Sequence, residues 1–581
     1  MWHQEIYSKF IIHDRVLIGN KETIAEWHLG NSILNTFISN PNFVGLVNAE
    51  TQEEVRYQEM RQKSVKCALW LRMQNVQPGD IITVCPSTTI DLYVPFLAGL
   101  YIGAVVNTWD INCKLNLDVL RRTRPKVIFT DKKHVLEMYG LAALLFRENF
   151  STIIIAFQPQ QHFINLDIIL NDFSNYNVEQ FVCWKPRYND IMVILHTINM
   201  MTVEKNIEIS YMAFQTSFIL EIPPLRAAGI CGLWYANLGC YYNIVLLVKA
   251  IILHAPLVVW WRKDYRQLCA MIEQFQVQWM YFNNVQAIEF NRFITNPDSS
   301  RDKDEGIDSD IVSGEEEDVE MLNISENFAF SLSSLKYVLH DLNLEYPWIH
   351  EELVYNLPER TNIILLYSYP ESGVIASRWC LEKRSNAGYV CKNVELKVIN
   401  HFGREARPNE HGEICCRSPY MMNGYHLQPM ITQSAIDKEG WLHTKDMGCY
   451  HRDGFIYVLG NIDLPVTFRG ESCDDRCFQN CLEEQEGISQ AYVLPVLHEI
   501  DGEQPFAFLV KKRNYPRKGE PVINEEVHME VLEDLFKLDD SSRFGTMFLL
   551  EMPRNYYNTL DKKRLYHILV KYLQNDSLCY R

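Results

Sequence analysis

The chain has no excess of positive charge. Its 55 Lys and Arg stand against 73 Asp and Glu, a net charge of −18, whereas a general nucleic-acid or anionic-membrane binder is expected to be basic. It has no cysteine framework either. Sixteen cysteines are scattered through 581 residues, a chain too large to need covalent staples. The opening residues, MWHQEIYSKFIIHDR, contain no apolar stretch behind a basic segment, so no secretory signal is visible and a reducing compartment is the expectation. An unbroken membrane span is also missing. The run from Tyr241 to Trp261 is long enough, but Lys249, His254 and Pro256 interrupt it, and a charge at mid-span costs roughly 2.5–3.5 kcal/mol. The run therefore predicts a buried helix, a turn at His254-Ala255-Pro256, and a buried strand. There is no G-x-S-x-G element, and His350-Glu351-Glu352 lacks the second histidine of a metalloprotease motif.

What is present is 47% apolar residues, enough to bury a large core, in a 581-residue chain whose length allows about three or four domain-sized units, or one large domain plus a small one. In the first third, helical and strand patterns alternate. Gln58–Gln74 has helical spacing, Gly79–Cys85 reads as a strand, and Leu92–Trp109 reads as a helix and then a strand. Lys126–Asp131 and Thr152–Phe157 are short continuous apolar strands. Such strands predict parallel sheets covered on both faces. From Val394 onward, short strands (VELKVI, GEICCRS, GFIYVLG) predict a β-rich unit. Gly470–Arg581 reads as a small α+β domain with helices at Asp475–Glu484 and Lys562–Leu573.

Between these parts lies an acidic insertion at about 297–326. Asp298–Glu320 holds eleven acidic residues and two basic ones, a net −9. It reads as a solvated, disordered spacer, or as a regulated interaction loop in which Ser313 precedes an acidic run. Cys473, Cys477 and Cys481 share a face if helical; packing explains them, and three thiols at that spacing match no common metal site.

The segment GWLHTKDMGCYHRDGFIYVLG (Gly440–Gly460) resembles the G-W-x-x-T-G-D-x-G core of the adenylate-forming acyl-CoA synthetases, the group that includes 4-coumarate–CoA ligases and beetle luciferases. Stretches on both sides are similar in the same order, from about Gly45 to Lys571. The resemblance implies an α/β fold: a large N-terminal domain of stacked α/β sheets with a β-rich subdomain (1–460), and a small mobile α+β C-terminal domain (461–581). It implies an acid activated by ATP with magnesium and passed to coenzyme A.

It also implies site residues. Lys205 falls on the phosphate-loop lysine within HTINMMTVEKN (His196–Asn206), but Asn199, Thr202 and Asn206 fall on its glycines, Met200 and Met201 on its hydroxyl pair, and Glu204 on its proline. Glycines let backbone N–H groups converge on phosphate, and thioethers donate nothing. His340-Asp341-Leu342-Asn343-Leu344 occupies the small-residue turn that contacts adenine. In LLYSYPES, Tyr367 and Glu371 match, while Ser368 replaces a glycine and Pro370 a threonine. Glu371 is either the magnesium-linked carboxylate or a plain glutamate. Asp446 matches the ribose-binding aspartate, with Lys445 in place of a glycine. Asn461 stands where an arginine should follow, and Asp463 at the hinge. Thr559 occupies the catalytic-lysine slot, and Lys562 and Lys563 could substitute only if the loop shifted. Losing one preorganised charge of this kind costs ~10²–10³ in rate.

Scaffold motifs match and chemistry motifs depart. The sequence therefore predicts a synthetase-like protein, catalytically impaired, that binds an acyl ligand or a protein partner. The alternative is a divergent active ligase making an acyl-adenylate and then acyl-CoA from a fatty or aromatic acid. The expected location is cytoplasmic. Peroxisomal residence is a family habit, but Cys579-Tyr580-Arg581 is not the targeting tripeptide.

Overall fold

The computed structural model describes residues 10–23, 28–109, 117–198, 204–216, 229–295, 332–342, 349–379, 387–462, 467–468, 471–472, 482–483, 488–498, 502–512, 545–554 and 560–575. The acidic insertion, Ser313, the middle of the phosphate loop (199–203), residues 343–344 of the adenine turn, Asp463, the three cysteines 473, 477 and 481, the Asp475–Glu484 helix except residues 482–483, and Thr559 lie outside them.

Two large sheets carry the chain. The first has seven strands. Ile153–Ala156, Val127–Thr130, Ile81–Val84, Val105–Trp109 and Ile191–Ile198 run parallel, and Glu204–Ser210 and Gly424–Tyr425 are added antiparallel. The second has a parallel stretch, Val44–Asn48, Leu257–Trp260, Gly232–Tyr235, Trp279–Phe282, Tyr337–Asp341 and Asn362–Tyr369. Its antiparallel continuation takes in Gly373–Trp379, Phe455–Asn461, Leu442–Tyr450, Gly412–Arg417 and Glu395–Ile399. The predicted β-rich unit is thus hydrogen-bonded to the α/β part as one fifteen-stranded sheet.

The largest core lies between the two sheets and includes the helices Tyr57–Met73, Tyr93–Ile102 and Tyr241–Ile252. Further helices cover the outer face of each sheet. This is why the parallel strands read as continuous apolar runs: neither face meets water. The Tyr241–Trp261 run folds as predicted. Helix Tyr241–Ile252 is buried on all sides and strand Leu257–Trp260 is fully buried, with His254 at φ +53° in the turn between them. Each fully buried Val, Leu or Ile there contributes roughly 1.5–3 kcal/mol. Among the described residues no helix is long and apolar enough to cross a membrane. The small C-terminal unit has strands Ile488–His498, Gly502–Lys511 and Gly545–Leu549, covered by helix Lys562–Asn575. Its core includes Met447 of the large sheet.

Candidate functional site

Asp446 and Asn461 are register partners on neighbouring antiparallel strands. Asp446 is fully buried, and its carboxylate is surrounded by donors. Tyr367 donates to Oδ2 at 2.5 Å, Tyr369 to Oδ2 at 2.7 Å and Oδ1 at 2.9 Å, and the Asn461 amide to Oδ1 at 2.6 Å. Three donors thus face the carboxylate's four acceptor sites, with the single Tyr369 hydroxyl shared between the two oxygens. Burial pushes Asp446 up to about 6, and the three donors hold it from rising further. Lys445, before it, sits at φ +67°, as suits the glycine slot it occupies.

Two residues past Tyr369, Glu371 is also buried. Lys205 Nζ is 2.8 Å from its Oε1, Tyr425 donates to the same oxygen at 3.0 Å, and Lys205 sits 5.4 Å from the Tyr425 ring centre. The four sequence-predicted residues Lys205, Tyr367, Glu371 and Asp446 therefore meet as two pairs. The strand Asn362–Tyr369 and the turn after it supply one member of each.

Lys205 is placed by a hairpin. Strands Ile191–Ile198 and Glu204–Ser210 pair directly, with Asn206 opposite His196, so the predicted loop His196–Asn206 is strand at both ends. His196 Nδ1 and Asn206 Oδ1 are hydrogen-bonded at 2.8 Å, both residues are fully buried, and the imidazole packs on Trp109. Asn206, in a glycine slot, is thus a core contact.

At the adenine turn, His340 and Asp341 face opposite ways. His340 Nδ1 donates to the Asp341 carbonyl, so its Nε2 accepts from His350 Nδ1 at 2.9 Å. Burial holds the His340 pKa down at about 4 and that of His350 well below the usual value. His350 Nε2 is buried with no hydrogen bond. The Asp341 carboxylate instead accepts from Tyr281 at 2.7 Å and Ser368 at 3.1 Å. Asp341 and Ser368, on neighbouring parallel strands, thus touch each other.

A third carboxylate joins the large sheet to the small unit. Glu413 is fully buried. Lys563 binds its Oε2, His443 Nδ1 lies 3.0 Å from the same oxygen, and Lys445 Nζ lies 3.6 Å from Oε1. Burial raises Glu413, but the His443 hydrogen bond and the Lys563 and Lys445 charges outweigh it, leaving a pKa of about 2. Lys562 Nζ donates to the Ile462 carbonyl at 2.9 Å. Both lysines near the Thr559 slot are therefore engaged at this junction. Glu413, Cys415 and His443 are close enough to ligate a metal, but Lys563 already neutralises Glu413, and burial keeps the Cys415 thiol protonated.

A family model described as AMP-binding enzyme matches residues 200–426. Over 569 residues the chain is 22% identical to the luciferin 4-monooxygenase of Luciola mingrelica, covering 91% of this chain and 92% of that one. It is 30% identical over 181 residues to the 4-coumarate–CoA ligase-like 1 of Arabidopsis thaliana. That match takes in 31% of this chain and spans only about a third (32%) of the relative's length. Residues 200–426 of the chain thus resemble the AMP-binding enzymes. The chain's fold is that of adenylate-forming enzymes. The luciferase-like enzyme from the nonluminescent Zophobas morio mealworm superposes with a TM-score of 0.63 at 17% identity, covering 77% of this chain and 99% of that one. Apo MatB from Rhodopseudomonas palustris does so with 0.61 at 15%, covering 93% and 99%.

Members of the AMP-binding family use ATP, magnesium and coenzyme A. The residues present do not fit a nucleotide as they stand. A ribose diol reaches Asp446 only if Tyr367, Tyr369 or Asn461 lets go. A magnesium ion reaches Glu371 only by displacing the Lys205 ammonium. At the base turn, the Asp341 side chain stands where the family pattern has a small residue.

Sequence reasoning missed Tyr369, Tyr425, Tyr281 and Glu413. Only Tyr369 carried a local signal: it stands two residues after Tyr367, on the same face of a strand.

Proposed function

We propose that this protein is an acyl-CoA-synthetase-like member of the AMP-binding family in which adenylation is impaired and the cleft is kept for binding a small ligand. The observation that carries this reading is the closure of Asp446 by Tyr367, Tyr369 and Asn461. A carboxylate already engaged by three buried donors cannot also take both hydroxyls of a sugar diol, and opening it costs about 1–3 kcal/mol per buried group left unpaired. The Lys205–Glu371 pair and the Asp341–Ser368 contact support the same reading. The two units are proposed to divide at 460/461, the segment 297–326 to be a solvated acidic insertion, and the protein to be cytoplasmic.

Calorimetric titration with magnesium–ATP beside an active family member tests it. No heat from folded protein is expected, and no acid-dependent pyrophosphate release. Micromolar to sub-millimolar binding with pyrophosphate release would instead support the divergent-ligase reading. The observation favouring that second reading is that Lys205, Glu371, Tyr367 and Asp446 still come together.

A further inference from the structure

The closed nucleotide contacts leave one polar cluster in the same cleft unexplained. Asp341 ends the parallel strand Tyr337–Asp341, at the rim of the core between the two sheets. In α/β folds this is the edge where ligands approach. Its carboxylate accepts from Tyr281 and Ser368, and among the described residues no Lys, Arg or His pairs with it. Its neighbour His340 is no counter-ion, because it is held neutral and turned to His350. Asp341 is partly open to solvent.

Above the pair stands Tyr242, second residue of helix Tyr241–Ile252. It is 7% exposed, its hydroxyl lies beside Ser368 without a well-formed hydrogen bond, and its ring centre lies 5.5 Å from that of Tyr281. The site thus holds an anion without a cation, two tyrosine rings, and a buried hydroxyl whose oxygen accepts no hydrogen bond.

We propose that Tyr242, Tyr281, Asp341 and Ser368 form a binding site for a small organic cation, a ligand carrying a protonated amine. A primary ammonium has three donors. Asp341 and the Tyr242 oxygen are acceptors in need of them, and the two rings present faces that attract cations. Burial without a counter-charge is costly for a carboxylate, and the ligand's charge removes that cost. Burial also pushes Asp341 up to about 6, which still leaves it an anion at neutral pH. A metal ion is the poorer occupant. One carboxylate and neutral hydroxyls fall short of the six to eight oxygens calcium takes, and burial keeps the Tyr242 and Tyr281 hydroxyls protonated.

The inference rests on the reading above only in that a cleft not given to nucleotide is free for another ligand. The test is separate from the ATP titration. Full-length protein is titrated at pH 7.5 with ethylamine, butylamine and phenethylamine, each beside its alcohol isostere. At least one amine is expected to bind about tenfold tighter than its alcohol, a difference of about 1.4 kcal/mol. Asp341→Asn, similar in shape, should bring amine and alcohol to the same affinity, and Tyr242→Phe should weaken the amine at least about threefold. Equal binding of amine and alcohol to the wild type, or no amine binding to folded wild type, overturns the proposal even if no variant folds. So does an undiminished preference in folded Asp341→Asn. Magnesium–ATP binding with amine preference intact would sink the proposed function and leave this site standing.

Discussion

Asn461 donates to Asp446 Oδ1 at 2.6 Å from directly across an antiparallel strand pair. The Asn461 amide and the Asp446 carboxylate are therefore bound to each other within the sheet, where both are buried.

Asn461→Ala removes this donor and leaves a buried acceptor site open. Unfolding by denaturant should report a loss of about 1–3 kcal/mol. Magnesium–ATP should still produce no heat, because both tyrosines remain on Asp446.

Asp446 titrates in an unusual window. Its folded pKa, about 6, lies above the unfolded 3.8, so the folded state holds the proton more tightly. The resulting stability is fully present below about pH 4 and is lost as pH rises through about 6. At about 1.4 kcal/mol per pKa unit, wild type should gain up to about 3 kcal/mol over Asp446→Asn as the pH falls from 7 to 4. The His340–His350 pair pulls the opposite way, with folded values below the unfolded one, so stability from it is lost on acidification. The comparison must therefore be between variants at each pH; a gap that stays constant with pH would count against the buried carboxylate.

Lys563 and Glu413 are 150 residues apart in sequence and join the small unit to the large sheet. Lys563→Ala should destabilise the protein by about 1–2 kcal/mol, discounted because the lysine is about one-third exposed and because His443 and Lys445 still serve the glutamate. A double-mutant cycle with Glu413→Gln should return most of that as coupling. Additivity of the two changes would remove the junction.

Restoring a glycine at 206 should harm the protein. Asn206→Gly deletes the buried partner of His196 inside a strand pair, at a cost of about 2 kcal/mol from the lost hydrogen bond and the freer backbone. No gain in ATP binding is expected. Thermal unfolding and calorimetry on the same sample test both parts.

The sequence carried the scaffold well, for physical reasons. Strands buried on both faces must be apolar throughout, so Val127–Thr130 and Ile153–Ala156 were legible locally. The charge at Lys249 and the turn at His254 were enough to argue against a membrane span at Tyr241–Trp261. Motif likeness singled out Tyr367 and Asp446 separately, and their contact came only with the fold. What the residues at departed positions do instead was not legible. That Asn461 caps Asp446, that Asp341 meets Ser368, and that Asn206 meets His196 follow from which strand lies beside which, and sheet register is fixed by the whole fold. Lys562 and Lys563 could be weighed only as stand-ins for a missing lysine, because nothing near them in sequence points to Ile462 or Glu413.

One strand serves both carboxylates. Tyr367 and Tyr369 turn to Asp446, while Ser368 between them turns to Asp341. An insertion or deletion of a single residue upstream in Asn362–Tyr369 would exchange the two faces, presenting a serine to one aspartate and tyrosines to the other. Substitutions at either aspartate can accumulate independently, but the spacing of this strand cannot drift without rewriting both sites at once.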